Sequence, residues 1–215
     1  MCFNISINSN KQAIEKQFDA EFHTDFEFMS NSHISAFTNP KIPAITSEDS
    51  NLIQPVHWGL IPHWVKDKEK ADSIRKMTYN AKSETIHEKP SFRDSFKESR
   101  CLVIADGFYE WQSTSSGKIC HYITSNESNL FAFAGIFSEW TDKLSGEYIK
   151  SASIITQSAN PVMAKIHNIK KRQPVILTND VAGQWLNKNI EFEHILNNAF
   201  NIDLKSEIVR SPLKR

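Results

Sequence analysis

Cys2, in the opening MCFNIS, stands directly behind the initiator methionine. Removal of Met1 would leave an amine and a thiol on one residue, a 1,2-aminothiol. In reference compounds the amine titrates near ~8 and the thiol near ~8.5, so both have reactive populations around neutrality. The amine can condense with an aldehyde to an imine, and the thiolate can add to the same carbon to close a five-membered thiazolidine. An internal cysteine cannot form that ring. With Met1 retained, Cys2 reads instead as a small apolar residue leading into a strand. An N-terminal nucleophile hydrolase, whose thiol attacks an amide with its own amine as base, uses the same position. Position alone does not separate these readings.

Three further residues could serve such chemistry. Glu110, in GFYEW, follows an apolar strand and lies between aromatics; burial there would raise its pKa toward the range of a general acid and base. It reads equally as a strand-end surface residue or half of an ion pair. His167, in PVMAKIHNIKKRQP, has basic neighbours that disfavour its charged form, which suits a proton shuttle or a polar surface residue. Asn80, in YNAKSET, offers an amide that could orient a terminal amine or a sugar hydroxyl. It could also cap the segment that follows.

The elements that must position these residues are mostly strands. A short amphipathic helix is predicted over Lys11 to Phe22, and Ser30 to Ser50, rich in Ser, Asn and Pro, reads as loop. QPVHWGLIPHW is expected to be a strand entering a turn, since Pro62 cannot donate to a ladder. Cys101 to Ala105 reads as a buried strand, with Asp106-Gly107 as turn or bulge. KICHYITS and LFAFAGIFSEW repeat the strand signal around the turn SNESN. SASIITQSAN and DLKSEIVR add strands, and PVILTNDVAGQWL a short strand with a helix over Val181 to Leu186. The expected class is α+β: one domain over residues 1–215, with many short, mainly antiparallel strands curling into a barrel-like core and a few helices.

Composition narrows the function classes. With 215 residues, 40% hydrophobic and 23% charged, 5 Trp and 14 Phe, the chain can fill a substantial core. Lys plus Arg and Asp plus Glu number 25 each, so global charge does not steer the protein to nucleic acid. The acid-free stretch from Tyr148 to Asn179 carries Lys150, Lys165, Lys170, Lys171 and Arg172, a local basic face. Three cysteines are too few and too far apart for a disulfide framework or a cysteine-rich zinc site, and suit a reducing compartment. Eight histidines show no HExxH pattern, and six glycines form no phosphate loop. The expectation is a protein needing no metal or organic cofactor. Without a signal peptide or a membrane-length apolar run, it is expected to be cytoplasmic.

Several blocks, in this order, carry a family resemblance: Cys2, HWGLIPHW at 57–64, NAKSET at 80–85, PSFRDSF at 90–96, RCLVIADGFYEW at 100–111, FAGIF at 133–137, and SIITQSAN continuing into VMAKIH at 162–167. In them the chain resembles the SOS response-associated peptidase, or SRAP, family, whose members sense abasic sites in single-stranded DNA. The resemblance matches Cys2 to the family's nucleophile, and Asn80, Glu110 and His167 to its other active-site residues. It implies autocatalytic removal of Met1, a thiazolidine crosslink to the ring-opened abasic sugar, and weak lyase activity through β-elimination.

The implied partner is single-stranded DNA with abasic sites, including single-strand/double-strand junctions, engaged by a monomer that joins the nucleoid during DNA damage. Arg93 and Lys82 are the first candidates for phosphate contact, followed by Lys165 and Lys170. Trp58 and Trp64 could form a stacking edge, although Trp58 and Trp111 equally suit the core. The alternatives are a thiol peptidase or N-terminal nucleophile amidohydrolase, and a non-catalytic single-stranded DNA-binding module. Three departures stand out. The family commonly continues Cys-Gly-Arg where this chain has Phe3 and Asn4, Lys82 replaces a frequent arginine, and the run from His167 to Pro174 is longer than usual.

Overall fold

The computed structural model describes residues 2–213. In chain order the elements are β1 (Asn4–Ile7), α1 (Lys11–Phe18), β2 (Glu21–Phe22), β3 (Asn31–Ser35), a 3₁₀ turn at Ala36–Thr38, β4 (Lys41–Thr46), β5 (Asp49–Trp58), α2 (Lys68–Arg75), β6 (Asn80–Lys82), α3 (Arg93–Glu98) and β7 (Arg100–Ala105). Then follow β8 (Gly107–Thr114), β9 (Gly117–Ser125), β10 (Phe131–Thr141), β11 (Tyr148–Ser158), α4 (Pro161–Ile166), β12 (Arg172–Pro174), β13 (Ile176–Leu177), α5 (Asn179–Leu186), α6 (Phe192–Phe200) and β14 (Leu204–Ile208).

Five strands close a barrel in the order β11-β10-β7-β4-β5. Its seams are antiparallel except the last, where β11 runs parallel to β5 through Ser151↔His57 and Ala152↔Trp58. The α+β class and the barrel-like core expected from the strand pattern are therefore present. A second sheet, β14-β9-β8-β1-β3, is antiparallel throughout.

The period-two side-chain alternation of a strand sorts β7 between two cores. Cys101, Val103 and Ala105 pack with Phe131, Phe133, Trp58 and, from the second sheet, Ile5, Phe108 and Ile123. Leu102 and Ile104 pack with Ile14 of α1, Ala182 and Trp185 of α5, and Ile195 and Ala199 of α6. Both faces are covered, which explains why Arg100–Ala105 is buried at every position.

Two expectations need correction. The helix predicted to Phe22 ends at Phe18, where Asp19 takes a left-handed conformation at φ 49°, and Glu21–Phe22 pairs instead with β5. The segment 30–50 is not a loop: it holds β3, the 3₁₀ turn, β4 and the start of β5. Its polar composition reflects partial exposure of β3, while β4 is buried continuously from Ile42 to Thr46. No helix among the described residues is long and apolar enough to cross a membrane.

Candidate active site

β1 brings Cys2 beside β8. The pairs Ile5↔Phe108 and Ser6↔Gly107 join the two strands, and Asp106 fixes their end by accepting from Ser6 Oγ at 2.8 Å and from the Ser9 backbone at 2.9 Å. Beyond Phe108 the chain around α4 takes over beside β8. Gln112 Nε2 donates to the Lys165 carbonyl at 3.1 Å, and Asn168 bridges both backbone groups of Ser113 at 3.1 and 2.8 Å. Glu110 thus lies between the start of the chain and the segment that carries His167.

Cys2 is fully buried, and its thiol donates to the Asn4 carbonyl at 3.9 Å. Asn80 Nδ2 donates to the Cys2 carbonyl at 2.9 Å. Asn80 is itself placed by β6, which lies parallel to β11 through Ile154↔Asn80, Ile155↔Ala81 and Thr156↔Lys82. The preceding residue is pinned because Trp58 Nε1 donates to the Tyr79 carbonyl at 3.0 Å. Gly59 allows the turn after Trp58: its φ is +108°, and a Cβ there would stand 2.6 Å from the Arg75 carbonyl oxygen.

Burial separates the titrations of the remaining groups. Glu110 is 5% exposed, and desolvation lifts its carboxyl to about 7. The Cys2 thiol is pushed far above its ordinary range, first by burial and then by the Glu110 charge, so the two groups sense each other. Half-buried His167 is pulled down to about 4, by desolvation first, with the charges of Lys170 and Arg172 adding to it. Near neutrality, then, Glu110 populates both protonation states while His167 is a neutral imidazole.

His167 is also oriented. It closes α4, which starts where Asn160 accepts from the Met163 N–H at 2.9 Å ahead of Pro161. His167 Nδ1 lies 3.0 Å from both the Arg172 N–H and the Arg172 carbonyl, so the Arg172 backbone fixes the ring's orientation in either tautomer. Arg172 is anchored in turn, its guanidinium gripping Glu84 and donating to the Thr156 carbonyl at 2.6 Å. The longer run after His167 is accommodated by Lys171 in a left-handed turn at φ 47°.

Glu110 and His167 share the lining of an open cleft of ≈ 320 Å³ with Phe3, Phe37, Trp111, Lys118, Ile169 and Lys170. Of the expected DNA contacts, Lys170 lines this cleft. Lys82 is exposed and, two residues from Asn80, lies on the same face of β6. Lys165 is exposed on α4, Arg93 begins α3 beside Asp94 at 3.5 Å, and half-exposed Trp64 donates to the Pro90 carbonyl; these three are outside the cleft lining.

Trp58 corrects the proposed stacking edge. It is 0% exposed in the core, with its indole N–H committed to Tyr79, so no base can reach it. Trp58→Ala is expected to destabilise the protein by about 3–5 kcal/mol in denaturant unfolding, through the cavity it leaves. The sequence reading missed Phe37 and Lys118, which reach the cleft from a 3₁₀ turn and a β9 position remote from every recognised block. Met1 lies outside the described residues.

Barrel and site together define an α+β protein whose cysteine-centred site is built between the start of the chain, β6, β8 and the end of α4. Comparison with known proteins places it further. The family model described as SOS response associated peptidase (SRAP) matches residues 1–212, and the chain belongs to that family. Abasic site processing protein YoqW of Bacillus subtilis is 35% identical over 198 residues, covering 91% of this chain and 84% of the relative. Abasic site processing protein HMCES of Xenopus tropicalis is 34% identical over 154 residues, covering 63% of this chain and 45% of that protein. A crystal structure of a Bacteroides thetaiotaomicron protein superposes with a TM-score of 0.89 at 35% identity, covering 97% of this chain and 92% of its own.

Proposed function

We propose that this protein processes abasic sites in single-stranded DNA by forming a covalent adduct through Cys2 after Met1 is removed. The observation that carries the reading is a fully buried Cys2 whose carbonyl is held by the Asn80 amide at 2.9 Å, at the β1–β8 seam that also carries the buried Glu110 carboxyl. The names of the curated relatives, abasic site processing proteins, support the same substrate class.

The ring-opened abasic sugar is an aldehyde. The Cys2 amine adds to its carbonyl carbon, and Glu110 in its acid form protonates the departing hydroxyl, so a protonated imine, one water and the Glu110 carboxylate result. The Cys2 thiol resists ionisation in its buried setting, so it needs a base at hand. Glu110, now a carboxylate, accepts the thiol proton as sulfur bonds to the imine carbon. That proton stays on Glu110, which regains its acid form, while the iminium nitrogen keeps its own proton, and the thiazolidine is neutral and complete. Asn80 fixes the Cys2 backbone, confining the nucleophiles to one approach line. Neutral His167 serves the sugar hydroxyl and the reverse ring opening. At the imine stage, loss of a C2′ proton with departure of the 3′ phosphate would give weak lyase activity. Lys170 at the cleft and Lys82 beside Asn80 are placed to meet phosphates, with Arg93, Lys165 and Trp64 as outer contacts.

The test is intact mass. Purified protein should lack Met1, and mixing it with a single-stranded oligonucleotide holding one abasic site should yield a denaturant-resistant species weighing the sum of both less one water. Active protein that retains Met1 throughout would end the aminothiol mechanism.

A further inference from the structure

Three aromatic rings meet beside the cleft. Phe3 and Phe37 have centroids 5.1 Å apart at 36°, and Tyr79 meets both edge-on, at 6.1 Å from Phe3 and 5.8 Å from Phe37, each at 85°. Their exposure is graded. Tyr79 is buried, Phe3 is half-buried against the core, and Phe37 is 63% exposed.

An isolated exposed phenylalanine would call for no explanation. Phe37 differs because it is braced. Its 3₁₀ turn is tied to the start of β1 by the Ala36 N–H donating to the Phe3 carbonyl at 2.8 Å. Thr38 Oγ1 donates back to the Ser35 carbonyl at 2.9 Å, and Asn39 closes the turn at φ 51°. Tyr79 is locked by its hydroxyl donating to Asn39 Oδ1 at 3.1 Å. The turn therefore holds an apolar ring toward solvent on a rigid support, at the wall of the cleft that Glu110, His167, Lys118 and Lys170 also line.

We propose that Phe37, buttressed by Phe3 and Tyr79, is a stacking shelf for the unpaired nucleobase next to the abasic sugar, so that capture depends on the flanking base. The occupant follows from the setting: a flat, aromatic, neutral group tethered to phosphates that the two cleft lysines can meet. Stacking uses the π-face every base has, so the shelf grades bases by size, purine above pyrimidine above none. The proposal rests on the abasic-DNA reading above.

The experiment uses single-stranded oligonucleotides in which the base beside the lesion is adenine, thymine or missing. One series carries a reactive abasic site and is read as adduct rate. The other carries a non-reactive tetrahydrofuran at the lesion and is read as Kd by anisotropy. The wild-type protein should favour the adenine flank over the baseless flank by roughly tenfold in both, within the range of base–aromatic stacking. Phe37→Ala should collapse that ratio toward one, and Phe37→Trp should restore it. Phe3→Leu, which keeps apolar volume without the ring, should weaken it.

A wild-type protein indifferent to the flank, or a Phe37→Ala variant that slows every oligonucleotide equally, would overturn the shelf. Adducts forming without flank preference remove the shelf and leave the abasic reading intact. Flank-dependent Kd without any adduct removes the covalent reading and leaves the shelf. Absence of both binding and adduct removes both.

Discussion

Cys2→Ala abolishes the denaturant-resistant adduct with abasic single-stranded DNA. Without sulfur, condensation stops at an imine that hydrolyses on denaturation. If Met1 is still removed, the alanine amine forms a species that survives only after borohydride reduction. Cys2→Ser should behave similarly, with an imine trapped in the same way and no stable thiazolidine.

Loss of fold is a separable explanation. Cys2 is fully buried beside the core that includes Ile5 and Phe108, so the alanine variant removes one buried sulfur. A loss on the order of 1 kcal/mol is expected from so small a truncation. A thermal scan that shows a cooperative transition, alongside absence of the adduct, assigns the effect to chemistry. Equal adduct yields from wild type and Cys2→Ala would remove Cys2 from the reaction.

The strands around this site were legible where one pattern dominated. Arg100–Ala105 is buried on both faces and reads as a continuous apolar run, and KICHYITS and LFAFAGIFSEW are marked as separate strands by the polar turn between them, although the structure puts them in different sheets. The 30–50 region was not legible, because β3 is an exposed edge strand of Asn, Ser and His whose partner is β1, some 30 residues earlier. Local composition carries no record of such a partner. The parallel seam between β11 and β5 that closes the barrel was equally hidden, since register across about 95 residues is a tertiary property.

Within the site, residue type indicated chemistry but not accessibility. Trp58 and Trp64 sit six residues apart in one motif, yet one fills the core and the other is half-exposed, because Gly59 turns the chain between them. Glu110 was recognisable as a carboxylate set among aromatics. Its burial, which decides its titration, comes from the Gln112 and Asn168 contacts that lay the end of α4 beside β8.

That burial sets up a contest between stability and reaction, and Glu110→Gln exposes it. The Glu110 carboxyl rises from an ordinary 4.5 to about 7 in the folded protein. Between those values the unfolded chain has released this proton while the native state still holds it. The native state binds more protons, so stability falls as pH rises through the window, and the full penalty persists above about 7. Taken as a difference of about 2.5 pKa units, the penalty is on the order of 3 kcal/mol, an upper bound. Glu110→Gln is neutral at every pH and escapes it. The variant should match wild type near pH 4 and unfold at higher denaturant than wild type at pH 8, with the gap opening between. It should also form the adduct about a hundredfold or more slowly, since it can neither protonate the departing hydroxyl nor accept the thiol proton. Its adduct rate should lose the inflection near pH 7 that wild type shows. A glutamine variant that is less stable than wild type at pH 8, or one that keeps the inflection, would place the titrating group elsewhere. The expected pairing of higher stability with lower rate is what a carboxyl buried for chemistry rather than for packing requires.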